Sequence, residues 1–311
     1  MEEKDMKKLT VSAFLICACL GFAFAGCKKK EEASKDTETE QLVEEESERE
    51  TEDAAKRLKG RNLLTGEPMD EKTAAKRPLA IMIGNTVDAL PQYGTAPADV
   101  LYEVPVEGGI TRLMGIYQDY SDIERIGSVR SCRHYFAYYA VEFDAIYMHY
   151  GQAIYAEPLL ASGLVDDLNG LDGKIDSLAF TRDSSRKAPH NAFTSTEGID
   201  AAIAYREHRT EYEDTFTGHY QFAADGESVD LADGADAVVV QPGYPLNKPW
   251  FVYDEEEGLY YRFQFKDKHI DANNNEQLKF KNIIFQYSDY SVLDAAKGYL
   301  DVSASGTGDG K

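Results

Sequence analysis

The N-terminus of the chain carries a segment that limits how much of the sequence can belong to a folded domain. Lys4, Lys7 and Lys8 form a short basic stretch, and the residues that follow, 9–24, are mostly apolar. A basic stretch, an apolar run and then small residues are typical of a secretory signal peptide, which is removed from the mature protein. We therefore expect residues 1–27 to be the signal region, with the cut just before Cys27, and the fold to begin further along the chain.

The end of this segment indicates a lipid attachment site. Phe24, Ala25 and Gly26 place one apolar and two small residues before Cys27, which resembles the lipobox of bacterial lipoproteins. Lipidation of the Cys27 thiol would make the membrane the first partner of the protein. The alternative is an uncleaved anchor, for which the apolar run is at the short end of the roughly 20 residues that a span needs. Both interpretations place the rest of the chain in an extracytoplasmic location, and we expect it at the outer face of the cell membrane.

Residues 28–60 differ in composition from the rest of the chain. The stretch from Lys28 to Lys59 holds 12 acidic and 8 basic residues and no aromatic residue. Such a segment buries too little apolar surface to offset the loss of chain entropy on folding. We expect a disordered, charged tether that holds the folded part away from the membrane surface, with an isolated helix as the alternative.

The whole chain is acidic and rich in aromatic residues. It has a net charge of −22, 43% hydrophobic residues, 20 Tyr and 14 Phe. This charge excludes nucleic-acid binding through a generally basic surface. Of the four cysteines, only Cys132 lies beyond the N-terminal segments, so we expect no disulfide framework.

The hydropathy pattern predicts an α+β protein with a mixed N-terminal domain over residues 61–212 and a smaller, mainly antiparallel β domain over residues 213–311. In the first domain, apolar runs predict strands at Leu79–Asn85, Val100–Val106 and Thr111–Tyr120, and three- and four-residue spacing predicts a helix over Arg133–Asp144. In the second, period-two runs predict strands at Ala237–Gln241, Trp250–Tyr253, Tyr260–Phe265 and Asn282–Tyr287. The Gly-rich end, Gly306–Gly310, is more typical of the middle of a domain, which leaves the completeness of the second domain open.

Basic residues are concentrated in two short stretches of this acidic chain. Residues 125–134 hold three arginines and one histidine with no acid, and residues 182–191 hold two arginines, Lys187 and His190 with only one acid, Asp183. If folding brings the two stretches together, they predict one anion site. The alternative is that the arginines form structural ion pairs with acids such as Glu103, Glu107 and Asp144.

These two stretches supply most of the candidate site residues. Two are candidate catalytic groups, Asp183 as a base and His190 as an acid or base. Five are candidate ligand-binding residues: Arg130, Arg133, His149, Arg186 and Asn191. The alternative for residues 181–195 is a rigid surface loop without a catalytic role. We predict no metal site and no cofactor, because the chain has no phosphate-binding loop, dinucleotide fingerprint or paired histidines at metal spacing.

Four segments occur in an order that resembles a known family. They are Arg77–Asn85 (RPLAIMIGN), Asp99–Arg112 (DVLYEVPVEGGITR), Ile126–Arg133 (IGSVRSCR) and Asp183–Ser195 (DSSRKAPHNAFTS). Following a lipobox, they are similar to the YerB-like lipoproteins of Gram-positive bacteria, the domain of unknown function 3048 family. The resemblance implies a larger N-terminal and a smaller C-terminal domain in an extracytoplasmic setting, and it implies no activity. Gly84-Asn85 departs from the Asn-Asn of most members.

Cys132 allows a separate interpretation. Ser131-Cys132-Arg133 superficially resembles the Cys-Arg region of L,D-transpeptidases, although no Gly precedes this cysteine. Flanking arginines would lower the pKa of a nucleophilic thiol. The alternative is a small buried apolar residue.

Three classes of function follow, in order of preference. The first is a membrane-anchored lipoprotein of unknown activity that binds an anionic cell-envelope polymer. The second is an envelope hydrolase or transferase acting on an anionic glycopolymer or phosphodiester, and the third is a surface protein-protein adaptor. Whether the protein is an enzyme, and its oligomeric state, are left open by the sequence.

Overall fold

The structure, a computed structural model, describes residues 59–213, 215–223, 226–227, 229 and 234–302. The predicted signal with Cys27, nearly all of the predicted tether and the Gly306–Gly310 segment lie outside these residues. Within the described ranges, no helix has the length and apolar character needed to cross a membrane.

The N-terminal part is built on a mixed five-stranded sheet with strand order β2-β3-β1-β5-β6. Strand β3 lies between β2 and β1 and is antiparallel to both, whereas β5 and β6 run parallel to β1. A second, three-stranded sheet has the order β4-β8-β7. The eight strands are β1 Leu79–Asn85, β2 Val100–Pro105, β3 Thr111–Tyr117, β4 Ile126–Gly127, β5 Ile146–His149, β6 Asp167–Asn169, β7 Thr181–Arg182 and β8 Ala192–Thr194.

Helices cover both faces of the five-stranded sheet. The α-helices are α1 Glu71–Ala74, α2 His134–Glu142, α3 Glu157–Ala161, α4 Gly173–Ala179 and α5 Thr196–Arg206, and single 3-10 turns occupy Val87–Ala89, Glu107–Gly109 and Ile154–Ala156. Because side chains alternate along a strand, Ala80 and Met82 pack with the aromatic side chains of α2, whereas Ile81 and Ile83 pack with the apolar residues of α4 and α5. All seven residues of β1 are buried for this reason.

An extended segment, residues 128–132, runs along the edge where the parallel strands end. The amide of Gly84 donates to the carbonyl of Ser128 at 2.9 Å, and the amide of Arg130 donates to the carbonyl of Met82 at 3.0 Å. The amide of Tyr150, just after β5, donates to the carbonyl of Arg130 at 3.0 Å. This segment therefore holds Arg130 at the carboxyl ends of β1 and β5, the edge at which open α/β sheets bind ligands.

The C-terminal part consists of short, antiparallel strands. Strands β12, β11, β10 and β9 form one sheet in that order, with β15 also paired to β11, and β13-β14 and β16-β17 form two separate hairpins. The strands are β9 Val239–Val240, β10 Trp250–Asp254, β11 Leu259–Gln264, β12 Asp267–Lys268, β13 Ile270–Asp271, β14 Glu276–Gln277, β15 Lys279–Phe280, β16 Tyr290–Asp294 and β17 Tyr299–Val302.

The predicted α+β class with a mixed first part and an antiparallel second part is confirmed. One predicted element is wrong, because Asn282–Tyr287 is irregular rather than a strand. Its alternating apolar pattern has no neighbouring strand to pair with in the described part of the chain, and Ile284 is 73% exposed.

Buried polar contacts join the two parts. Nη2 of Arg262 in β11 donates to Oε2 of Glu103 in β2 at 2.8 Å. The Asp271 carboxylate accepts hydrogen bonds from the amides of Gly94 and Ala96 at 3.1 and 2.8 Å. Arg262 and Asp271 are buried, so this boundary is a packed one.

Candidate functional site

The two basic stretches meet in the structure. Nη1 of Arg130 donates to the carbonyl oxygen of Pro189 at 2.6 Å, which joins residues 125–134 to residues 182–191. The imidazole of His190 lies within electrostatic range of Arg130 and Arg186. The expectation that folding places both stretches side by side therefore agrees with the geometry.

Arg112 of β3 lies beneath this meeting point and is not one of the residues chosen from the sequence. Its side chain is buried, at 3% exposure, and Nη1 donates to the carbonyl of Ser131 at 2.5 Å. Burial, followed by the charges of Arg133 and Arg130, lowers the pKa of the Arg112 guanidinium to about 9. No carboxylate of the described residues lies within 4 Å of it, so its charge has no direct partner.

Arg130 is in a similar state. Burial and the neighbouring Arg133 charge lower the pKa of its guanidinium. Within the described ranges, no acid forms an ion pair with Arg130, and its hydrogen-bond acceptor is a backbone carbonyl. Arg112 and Arg130 are therefore two neighbouring, partly desolvated cations without a directly paired acid among the described residues. The charge of Glu107 acts on both, but its carboxylate is paired with Arg133.

Arg133 differs because it is paired with Glu107. Its Nε donates to Oε2 at 2.9 Å, and its Nη2 contacts Oε1. Burial opposes ionisation of Glu107, but the hydrogen bond and charge of Arg133 outweigh burial and lower the pKa of this carboxyl group. Arg133, the residue that precedes α2, therefore forms the structural ion pair with Glu107 that the sequence analysis gave as the alternative.

A cavity of about 300 Å³ lies beside Arg130, at the carboxyl ends of β5 and β6. It is lined by neutral and basic residues only: Val129, Arg130, Ser131, Tyr150, Gly151, Gln152, Leu171, Arg182, Ala188, Pro189 and Ala192. A cavity wall with two arginines and no acid is unusual in a chain whose net charge is −22. This lining makes the cavity a candidate for an anion site.

Arg182 of β7 contributes the second guanidinium of the cavity. Its Nη1 donates to Oδ1 of Asn191 at 2.9 Å, and its Cζ lies 4.2 Å from the ring centre of Tyr150. The candidate ligand-binding residue Asn191 thus orients Arg182 from outside the lining. Arg182 lies in the second basic stretch, but its position on a cavity wall depends on the pairing of β7 with β8.

The remaining candidate residues are held by protein contacts. Asp183 accepts hydrogen bonds from Ser185 and, at 2.6 Å, from Nη2 of Arg125, and these contacts hold the pKa of its carboxyl group far below the usual range. Arg186 donates to two backbone carbonyls, at 2.8 and 3.1 Å. His149 is fully buried, with Nδ1 2.8 Å from the Gly151 carbonyl and Nε2 3.2 Å from Asp167.

His190, unlike these residues, has a ring nitrogen without a hydrogen-bond partner among the described residues. Burial, then the charge of Arg130, lowers the pKa of its imidazole, which favours the neutral form. Its buried Nδ1 has no hydrogen-bond partner among the described residues. A neutral ring with a free nitrogen beside Arg130 can accept or donate a proton.

Cys132 fits the apolar interpretation of the two weighed from the sequence. Its side chain is fully buried, and burial raises the pKa of the thiol to about 12 despite the nearby arginines. A thiol in this state is a poor nucleophile at neutral pH. In the part of the chain that the structure describes, no three His, Cys, Asp or Glu side chains converge to hold a metal ion.

Comparisons of the sequence and of the structure with known proteins identify the same family. The family described as "Protein of unknown function (DUF3048) N-terminal domain" matches residues 64–210, and the corresponding C-terminal domain family matches residues 238–311. The Bacillus subtilis protein named "Putative lipoprotein YerB" is 30% identical over 261 residues, which cover 82% of this chain and 75% of that protein. The crystal structure of B. subtilis YerB superposes with a TM-score of 0.67 at 28% identity, over 78% of this chain and 79% of that one.

The two domain matches occur in the order expected from the sequence motifs. Together they span most of the chain. The chain is a member of the DUF3048 family, with the two-part YerB fold.

Proposed function

We propose that this protein is an extracytoplasmic lipoprotein, anchored to the outer face of the cell membrane through Cys27, that binds an anionic polymer of the cell envelope. The anion would occupy the cavity beside Arg130, which lies at the carboxyl ends of β5 and β6. The lipobox-like sequence before Cys27 and the name of the B. subtilis relative support the location.

One observation carries the binding proposal: Arg112 and Arg130 are partly or fully buried cations without a carboxylate partner in the described ranges. Removing an unpaired charge from water costs several kcal/mol, and a bound counter-ion would recover part of this cost. An acidic chain has many carboxylates with which to neutralise such a cluster. Their absence from the cavity lining favours a counter-charge that comes from a ligand.

Binding to soluble polymers tests this proposal. The full-length chain would be electrophoresed through gels containing poly(glycerol phosphate), polygalacturonate or neutral dextran. We expect retardation by at least one polyanion but not by dextran, and the retardation should weaken with salt because it is electrostatic. Arg130→Gln should weaken retardation by about tenfold or more, the effect of losing one charged hydrogen bond.

Arg206→Gln is the matched control for this experiment. This substitution also removes one positive charge, but Arg206 pairs with Asp172 at 3.0 Å and does not line the cavity. Equal losses in the two variants would mean that only net charge matters and would contradict a specific site.

The anchoring part of the proposal has its own test. Cells that express the chain and grow with labelled fatty acid should label the protein, and Cys27→Ser should abolish that label. Label that persists in the variant would contradict lipidation at this residue.

His190 supports a hydrolase or transferase acting on the same anionic polymer as a second candidate. Its unpartnered, neutral imidazole lies beside Arg130, where it could move a proton while the arginine holds the anion. If the protein is an enzyme, His190→Ala should abolish release of polymer fragments and leave polymer retardation within about threefold of the parent chain. Absence of fragment release by the parent chain under the same conditions would contradict this candidate.

A further inference from the structure

Resting on the proposed anion site, we propose that the cavity between Arg130 and Arg182 is selective for an organic phosphate, a phosphate ester of a sugar or polyol, over a sugar carboxylate. Two features of the lining carry this inference: the number and origin of its guanidinium groups, and the apolar wall beside them.

The two guanidiniums reach the cavity from different parts of the fold. Arg130 belongs to the extended segment that runs along β1, and Arg182 belongs to β7 in the other sheet. A carboxylate has two oxygens in one plane and suits a single guanidinium fork, whereas a phosphate presents oxygens in tetrahedral directions that serve two forks at once. Two guanidiniums in the lining of one cavity therefore favour phosphate.

The charge balance points in the same direction. The neighbouring group formed by Arg112, Arg130 and Arg133 contains one direct acidic partner, Glu107, and Arg182 adds a further charge on the cavity wall. Within the described part of the chain, neither Arg112 nor Arg182 has a carboxylate within 4 Å. A phosphate monoester, with a charge of about −1.5 to −2 at pH 7, would compensate more of this excess than a monoanionic carboxylate. A phosphodiester carries a single charge, so only the tetrahedral arrangement of its oxygens favours it over a carboxylate.

The rest of the wall favours an organic group attached to the phosphate. Leu171, Ala188 and Pro189 give one part of the cavity an apolar surface, and the Leu171 side chain is 63% exposed. The volume of about 300 Å³ is at the lower end of the range for small-molecule pockets, about 300–1,000 Å³. A sugar or polyol could contact this wall through its carbon atoms while the arginines hold the phosphate.

Calorimetric titration of the full-length chain tests the selectivity. The ligands are glucose 1-phosphate, glucuronate, inorganic phosphate, glycerol 3-phosphate and the diester glycerophosphoglycerol. We expect the phosphate esters to bind at least about tenfold more tightly than glucuronate, because an additional charged hydrogen bond has this effect. Tighter binding of the diester would identify the interior of a polymer as the source of the phosphate, and tighter binding of the monoesters would identify a chain end or a free metabolite.

Two variants, each with a control, separate the contributions of the arginine and of the apolar residues to binding. Arg182→Gln should weaken phosphate-ester binding by about tenfold to a hundredfold, while Arg206→Gln should leave it unchanged. Leu171→Ala should weaken glucose 1-phosphate binding severalfold and leave inorganic phosphate unchanged. Leu164→Ala changes a leucine of similar exposure, 56%, that is not in the cavity lining, and it should change neither affinity.

The outcomes distinguish this inference from the proposed function. If glucuronate binds as tightly as the phosphate esters and Arg130→Gln weakens both, the phosphate selectivity is wrong and the anion site stands. If neither class of ligand binds and polymer retardation is independent of Arg130, both the selectivity and the anion site are wrong.

Discussion

Nε of Arg133 lies 2.9 Å from Oε2 of Glu107, and this ion pair neutralises one of three neighbouring arginines. The other two, Arg112 and Arg130, have no carboxylate within 4 Å among the described residues. The positive charge that can attract an anion therefore belongs to Arg112 and Arg130. Substitutions that change the number of unpaired arginines in this group should change ligand binding.

Glu107→Gln should lower stability and strengthen anion binding. The Arg133 side chain is 7% exposed and would lose its ionised partner, so we expect the free energy of unfolding to fall by about 1–3 kcal/mol. A third uncompensated charge should increase the rise in melting temperature that glycerol 3-phosphate produces. Thermal unfolding with and without this ligand measures both effects. In the control Glu257→Gln, which breaks the exposed pair with Lys279, the response to ligand should not change.

Gly84→Ala should displace Arg130. A Cβ atom at this position would lie 3.1 Å from Cγ of Arg130 and 3.2 Å from both Cβ of Ala89 and Oγ of Ser128. We expect severalfold weaker phosphate-ester binding and a loss of about 1–3 kcal/mol in stability from overpacking. Gly173→Ala is the control, because its Cβ would meet no atom within 4 Å. Unchanged affinity in Gly84→Ala would show that the position of Arg130 does not control binding.

His269 should make stability depend on pH. It is 1% exposed between Arg262 and Gln92, and burial followed by the Arg262 charge lowers the pKa of its imidazole well below the usual value. The unfolded chain, with a pKa of about 6.5 at this residue, therefore binds the proton first. The contribution of neutral His269 is fully present above pH 6.5 and is lost as pH falls below it.

Urea unfolding at pH 7.5, 6.5 and 5.5 measures this effect. Between pH 6.5 and 5.5, the parent chain should lose about 1 kcal/mol more stability than His269→Gln, in which the titrating group is absent. His190 and His219 also have lowered pKa values, but they are present in both proteins. Equal pH dependence in the two proteins would contradict this account of the domain boundary.

Arg77→Lys should reduce stability without affecting the anion site. The Arg77 guanidinium donates to Asp166 at 2.5 Å and lies 3.2 Å from Asp144, while its Nε donates to the Asp144 carbonyl at 2.7 Å. A lysine cannot reproduce this fork, so we expect a loss of about 2–4 kcal/mol. The variant, measured by urea unfolding and calorimetry, should bind glycerol 3-phosphate as the parent does. A parallel loss of affinity would mean that this distant arginine also shapes the site.

The sequence was sufficient to predict elements whose signal is local. Leu79–Asn85 is a continuous apolar run before a turn, and the structure has a strand with the same bounds. A strand was also predicted over Thr111–Tyr120, and the structure has one over Thr111–Tyr117, but the burial of Arg112 within it was not predicted. An arginine in a strand normally faces solvent, and its burial depends on helices that cover both sheet faces and lie far away along the chain.

Only the part of the candidate site that has a local signal in the sequence was predicted. The clustering of basic residues along the chain was enough to indicate Arg130 and His190, which the fold brings together. The hydroxyl of Ser185, two residues along the chain, is the largest cause of the low pKa of Asp183. Arg125, which is 58 residues away, lowers this pKa further, and no local pattern reveals that pair. Sequence spacing can indicate that charges accumulate, but the distribution of ion pairs among them is decided by tertiary contacts.

Nuclear magnetic resonance of the arginine Nε–Hε groups tests the central claim most directly, because it reports on individual guanidiniums in the full-length chain. The signals of Arg130, Arg182 and Arg206 would be assigned by substitution and followed while glycerol 3-phosphate is added. We predict that the Arg130 and Arg182 signals shift together and saturate at the affinity found by calorimetry, while the Arg206 signal stays in place. Signals of Arg130 and Arg182 that do not move while calorimetry reports binding would contradict an anion site at this cavity.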